Sequence, residues 1–190
     1  MPIVERNPLP RIPFETRQEL HDWLVDNHAA HRGFWLVQWR PVTGRSTIAY
    51  DDIVEECLIF GWIDSTVQTF DDERSGLRLT PRKPNSVWSA LNKQRLARLE
   101  AGGLMQPAGI RAVEVAKANG MFTFLDDVDA IVVPEDLAQA LGDLREVFDG
   151  FSPSRKRQAL YWVKSAKRPQ TRADRIARIV AGAGEGSSVF

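Results

Sequence analysis

The amino-acid sequence predicts an α+β fold: N-terminal helices packed on a small antiparallel sheet, followed by a C-terminal helical module. Three observations carry this. Apolar residues recur at three- and four-residue spacing behind Thr16 and Asp52. Between and after those stretches lie runs dense in strand formers, Phe34 to Trp39 and Trp62 to Phe70. From Ser152 onward the spacing is helical again.

The Pro-rich residues 1–13 read as an extended arm. Thr16 and Glu19 make a capping box, and Leu20, Trp23 and Leu24 follow at helical spacing, so 16–28 is a helix. Gly33 opens the strand 34–39, and Pro41 with Gly44 marks a turn. Ser46 to Ala49 is expected to pair back onto that strand. Asp52 and Glu55 form a second capping box, with Ile53, Val54, Cys57, Leu58 and Phe60 as the apolar stripe and Gly61 as the stop. Trp62 to Phe70 is a strand, Asp71 to Arg74 a polar turn, and Leu77 to Thr80 the return strand, ended by Pro81.

Arg82 to Asn85 is a basic loop, and Ser86 is expected to cap a helix that runs to Ala101 and stops at Gly102-Gly103. Pro107 starts the next helix, which Gly120 ends. Residues 121–134 show no clear period and read as a linker, with a short helix after Pro134. Ser152-Pro153 is an N-cap followed by proline in the first turn. Ala159, Leu160, Val163 and Ala166 give that helix its apolar face. Thr171 and Asp174 announce a last helix packing through Ile176, Ile179 and Val180, with a frayed tail from Gly182. The boundaries follow: an α+β domain over 1–120, then a linker and basic helical module over 121–190.

The 190 residues suffice to bury a core without a disulfide or metal staple. Basic and acidic residues balance at 25 each, which gives no global pull towards nucleic acid or membrane. The balance hides an asymmetry: residues 152–180 hold nine basic side chains and one acid, Asp174, so that segment is +8 and the remainder −8. One cysteine, Cys57, permits no intrachain disulfide and fits a reducing compartment. No apolar signal-peptide core and no membrane-length apolar run is found, so a cytoplasmic location is expected.

The chemistry-bearing residues converge between Tyr50 and Arg95. In a 62–70/77–80 hairpin, Trp62 and Asp64 share one face of their strand, and Arg78 and Thr80 share a face of the partner. On the helix after Ser86, residues Ser89, Asn92 and Lys93 share a face beside Trp88. With Arg82, Asn85 and Arg95, these groups supply one carboxylate, several cations, amides, hydroxyls and indoles. That inventory suits a small anionic or planar ligand. His21, His28 and His31 lack further ligands for zinc, Cys57 sits on an apolar stripe, and Gly182-Ala183-Gly184-Glu185-Gly186 follows a helix where a phosphate loop follows a strand. No metal and no cofactor is therefore expected.

Ordered motifs in this stretch are also familiar. Gly61-Trp62-Ile63-Asp64, Thr80-Pro81-Arg82-Lys83-Pro84, Trp88-Ser89 with Asn92-Lys93 and Arg95, and Gly103 and Met105 with Pro107-Ala108-Gly109 resemble the YdeI/OmpD-associated family, also labelled bacteriocin-protection proteins. Ser152-Pro153-Ser154-Arg155, Ala166-Lys167-Arg168-Pro169 and Thr171-Arg172 with Arg175-Ile176 look like its C-terminal helical module. The resemblance covers most of 14–180. It implies a role in bacteriocin or antimicrobial protection and association with an outer-membrane porin. It brings no catalytic or metal residues.

The expected function is thus a binding or protection module using the 62–95 surface, with a small ligand or a protein as partner. Two alternatives stand beside it. One is an enzyme of unknown reaction with Asp64 as base and Arg82, Asn92 and Lys93 stabilising negative charge. The other is nucleic-acid binding through the basic helices 152–180, although no base-reading motif is present there.

Overall fold

A computed structural model describes residues 9–185 of the chain, which divides into two compact units, Met1–Phe122 and Thr123–Phe190. The fold is α+β, with helices accompanied by one four-stranded sheet.

In the first unit the order is β1 (Arg11–Pro13), α1 (Arg17–Asn27), β2 (Phe34–Trp39), α2 (Tyr50–Ile59), β3 (Trp62–Thr69), β4 (Arg74–Pro81), α3 (Ala90–Ala101) and α4 (Pro107–Ala118). The sheet order is β1-β2-β4-β3. β2/β4 and β3/β4 are antiparallel, but β1 runs parallel to β2, so the sheet is mixed where an antiparallel one was expected. The cause is the N-terminal arm. Its residues 11–13 join the sheet edge, and Trp35 N–H donates to the Pro10 carbonyl at 2.8 Å. A proline-bearing strand that donates few ladder bonds is confined to such an edge.

Alternation sets the two faces of the sheet. Phe34, Leu36, Leu77, Leu79 and Trp62 are buried on the side covered by helices, where Leu20 and Leu24 of α1 and Ile53, Val54, Cys57 and Leu58 of α2 complete the core. The opposite register places Trp35 against Arg78 and Ile63 against Thr80 on the other face. β3 carries one extra residue between Asp64 and Val67 relative to β4, a β-bulge beside Asp64.

Several starts differ from expectation. α1 has the predicted capping box, with Glu19 N–H donating to Thr16 Oγ1 at 3.2 Å. The second box does not form. α2 begins at Tyr50, and Asp52 and Glu55 instead accept from the Arg17 guanidinium at 2.7 and 3.1 Å. Arg17 also donates to buried Glu56 at 2.7 Å, and this network outweighs a local cap. Ser46 to Ala49 forms no strand; buried Ile48 anchors it, its carbonyl accepting from Gln38. α3 is capped by Ser89, not Ser86, because the Ser86 hydroxyl accepts from Lys83 N–H in a turn and Trp88 is sunk in the core.

The second unit holds short helices α5 (Asp126–Asp129), α6 (Glu135–Leu141) and α7 (Arg145–Asp149), then α8 (Pro153–Lys164) and α9 (Pro169–Gly184). Leu137, Phe148, Ala159, Val163 and Ile179 are fully buried at its centre. The expected linker therefore contains a helix, α5. α9 starts at Pro169, ahead of the Thr171–Asp174 sequence, because proline presets the first helical turn. It continues past Gly182 with Ala183 buried, so no fraying begins there. Residues 1–8 of the arm and 186–190, including Gly186 of the tail motif, lie outside the described residues. Among the described residues no helix is long and apolar enough to cross a membrane.

Candidate functional site

Among the hollows of the first unit, two share a wall, the segment Pro81-Arg82-Lys83-Pro84. The segment is held from several directions. Arg82 N–H extends the sheet ladder to the Gly61 carbonyl at 2.9 Å, Ser86 N–H donates to the Lys83 carbonyl at 2.9 Å, and the Asn119 side chain donates to the Pro84 carbonyl at 2.7 Å.

The first hollow is an apolar cavity of about 380 Å³. Phe60, Trp62 and Trp88 give it aromatic walls, and Ala108, Ala112 and Ala116 of α4 line it at four-residue spacing. Those three small residues on one helix face leave the space that larger side chains would fill. Its charged lining is cationic only: Arg82, Lys83 and Arg111, with no carboxylate. The Trp62 indole N–H donates to the His28 carbonyl at 3.2 Å. The Trp88 indole N–H is buried without an acceptor among the described residues.

The second is a polar cleft of about 640 Å³ beside the end of the hairpin, where β4 runs into Pro81. Arg78, Arg82 and Lys83 contribute charge, with Arg32 also on the lining; Ser65, Thr80 and Ser86 add hydroxyls. Asp64 is its single carboxylate. Tyr50 Oη donates to Asp64 Oδ2 at 2.7 Å. Burial, then the hydrogen bond to Asp64 and its negative charge, push the Tyr50 phenol up to about 12.

Arg82 borders both spaces. Its guanidinium carbon lies over the Trp88 ring, 3.9 Å from the centroid, and its Nη1 donates to the Val87 carbonyl at 3.1 Å. It makes no ion pair with any described residue, and its Nε–H is buried without an acceptor. Burial pulls the guanidinium down to about 10. An arginine taken out of water without a carboxylate is costly unless something else supplies negative charge.

The residues singled out from sequence separate into groups. Trp62, Arg82 and Trp88 line the apolar cavity; Asp64, Arg78, Thr80 and Arg82 line the polar cleft. Asn85, Ser89, Asn92, Lys93 and Arg95 line neither. Asn85 is exposed. Ser89 caps α3, accepting from Asn92 N–H at 3.3 Å, while Asn92 Oδ1 accepts from Arg95 at 3.0 Å. Arg95 is buried and pairs with Asp51 at 2.5 Å. Lys93 lies 4.9 Å from the Phe122 ring centroid. Sequence reasoning left out Arg111, Ala108, Ala112 and the hydroxyl of Tyr50. The alanine spacing on α4 was the available signal; nothing in the sequence announced that Tyr50 meets Asp64.

Other candidates are occupied by structural roles. His21 Nδ1 lies 2.8 Å from Glu56 Oε2, His28 Nδ1 lies 2.8 Å from the Leu24 carbonyl, and Cys57 is a buried free thiol pushed well above its ordinary range by desolvation. Among the described residues no group of three or more His, Cys, Asp and Glu side chains is placed to hold a metal ion. In the second unit Lys164 pairs with Asp127 and Arg172 with Asp136, while Lys156, Arg157 and Arg175 donate to backbone carbonyls. With Arg155 over the Phe151 ring, at least six of the nine bases in 152–180 thus have partners within that unit.

Residues 12–112, which carry both hollows, match the model of a domain of unknown function, DUF8412. The chain belongs to the DUF8412 family. Residues 130–186 match a second model, described as bacteriocin-protection, YdeI or OmpD-associated. The motifs between Gly61 and Gly109 fall within the DUF8412 match, and the Ser152 to Ile176 motifs within the YdeI/OmpD-associated match. No curated protein and no solved structure matches the chain.

Proposed function

We propose that this DUF8412 protein is a binding module for a small ligand that combines a planar apolar body with an anionic group. The planar body occupies the apolar cavity between Trp62, Trp88 and α4, and the anionic group meets Arg82. The observation that carries this reading is Arg82: a largely buried guanidinium with no carboxylate partner, on the shared wall of an apolar cavity and a cationic cleft. A cavity of about 380 Å³ falls within the range of small-molecule sites, roughly 300–1,000 Å³. Binding is preferred to catalysis because Asp64 is the single carboxylate on either lining and already accepts the Tyr50 hydroxyl, which leaves no acid–base pair. The match of residues 130–186 to a family described by bacteriocin protection supports a protective role for the module. A single buried, free cysteine supports a cytoplasmic location.

The test uses 2-naphthoate, a planar ring with one carboxylate, measured by calorimetry on the full chain. Saturable 1:1 binding is expected. Arg82→Met is expected to weaken it about tenfold or more, the cost of one charge-assisted hydrogen bond. Val115→Trp, which narrows the cavity from its exposed rim without removing a charge, is expected to do the same. Absence of saturable binding, or binding indifferent to both substitutions, would overturn the reading.

A further inference from the structure

The polar cleft has a charge excess that one carboxylate does not match. Arg78, Arg82 and Lys83 share the lining with one acid, Asp64, so these four groups leave two positive charges over. Among the described residues Arg78, Arg82 and Lys83 make no ion pair, and Arg78 Nε–H, like Arg82 Nε–H, is buried without an acceptor. Arg78 stands on the β4 face opposite the core, and Arg82 lies just beyond the end of the same strand. The two guanidiniums therefore reach the cleft from the strand and from the segment that follows it. The hydroxyls of Thr80 and Ser86 add neutral donors around the same space, while the Ser65 hydroxyl donates to the Arg78 carbonyl.

Multidentate donation from guanidiniums and hydroxyls, with two charges to neutralise, describes a phosphate monoester dianion better than a carboxylate. A carboxylate has two acceptor oxygens and one charge; a terminal phosphoryl group has three acceptor oxygens and up to two charges. The apolar cavity behind Arg82 is cationic at its charged positions but has no dense set of donors, because alanines, prolines and aromatic rings make up most of its lining. Residues 81–84 line both spaces, so the cavity and the cleft are neighbours across one short segment.

We infer that the ligand is a phosphorylated aromatic compound, of which a nucleoside monophosphate is one representative. Its ring enters the cavity beside Trp62 and Trp88, and its phosphoryl group sits in the cleft on Arg78 and Arg82. This inference rests on the binding reading above and adds two things to it: the chemical class of the anionic group and the direction in which the ligand lies.

The experiment compares three probes that share a ring, 2-naphthol, 2-naphthoate and 2-naphthyl phosphate, by calorimetry at pH 7.5, with adenosine and its 5′-monophosphate as a second matched pair. The phosphate is expected to bind at least about tenfold tighter than the carboxylate, and the nucleotide tighter than the nucleoside by a similar factor. Arg78→Gln removes a cleft charge without touching the cavity. It is expected to erase the phosphate advantage while 2-naphthoate binds as before, and Arg78→Lys restores part of the advantage. Circular dichroism confirms that both variants fold, and the comparison of phosphate with carboxylate on the parent protein stands whatever the variants do. Equal affinity for phosphate and carboxylate would overturn the inference and leave the binding reading standing. Saturable binding of none of the probes overturns both. Tight binding of a single-stranded oligonucleotide with weak binding of the monophosphate would overturn it in favour of a nucleic-acid surface.

Discussion

Arg82 and Tyr50 show how single side chains in this protein hold properties that their residue types do not announce. Arg82 is one more arginine in a basic loop until the fold lays it over Trp88 and takes away much of its solvent. A guanidinium desolvated without an ion pair weakens the fold that holds it. Arg82→Met is therefore expected to leave stability unchanged or raise it by up to about 1 kcal/mol while ligand binding falls. Urea denaturation checks this, and a loss of more than about 2 kcal/mol would make Arg82 a structural residue instead. Tyr50 gives a second expectation. In a Tyr161→Phe background the remaining phenol is expected to ionise near pH 12, not near 10, by ultraviolet titration. Adding Asp64→Asn removes the charge that opposes ionisation and is expected to bring it down, though not fully, since burial is the larger cause. Trp62 and Trp88 were legible from sequence as a pair of aromatics near cations, and the cavity brings them to one lining. The partners of Arg95, Asn92 and Ser89 were not legible, because a helix face says which residues are neighbours on that helix and not what another helix presents to them.

At the level of elements, the cavity depends on how closely α4 approaches α2. Gly109 makes that approach: a Cβ there would lie 2.3 Å from the Ile59 carbonyl oxygen and 2.7 Å from that of Leu58. Both are backbone atoms and cannot turn aside. Gly109→Ala is expected to cost about 1–3 kcal/mol by forcing the helices apart, and to weaken binding in the same variant, since Ala108 and Ala112 flank it on the lining. Equal melting temperatures for the variant and the parent would show that α4 moves freely, against this account. Gly61 repeats the arrangement with a positive φ of 72° and the Ala108 carbonyl 2.7 Å from its would-be Cβ. The helices and the hairpin were readable because their periods, caps and turn residues are local. The capping box at Asp52 failed because a distant arginine competed for the same carboxylates. The hairpin faces were readable in alternation, but not their roles. Trp62 and Asp64 share the helix-covered side, Arg78 and Thr80 the other, and a common surface arises only where the chain leaves β4 at Pro81.

For the whole molecule, the even charge balance conceals where stability responds to acid. In the second unit Asp136 accepts from Arg172 through both oxygens, at 2.6 and 2.9 Å, and Asp127 pairs with Lys164. Each carboxyl is held below its ordinary range, first by the hydrogen bond to its cationic partner. The folded carboxyls thus release their protons at lower pH than unfolded ones, which titrate near 3.9. Their stabilisation is present above about pH 4 and is lost as pH falls through the lowered folded values. Both carboxylates are about half exposed, so each pair is worth at most about 1 kcal/mol. Asp136→Asn is accordingly expected to lower the urea midpoint at pH 6 by an amount that holds to about pH 5 and then narrows as pH is taken to 3. The basic character of 152–180 then has a physical use within its own unit: Lys164 and Arg172 tie α8 and α9 to acids that stand outside that run. A gap that stays constant from pH 6 to pH 3 would detach the acid response from this pair and return those bases to the solvent or to a partner.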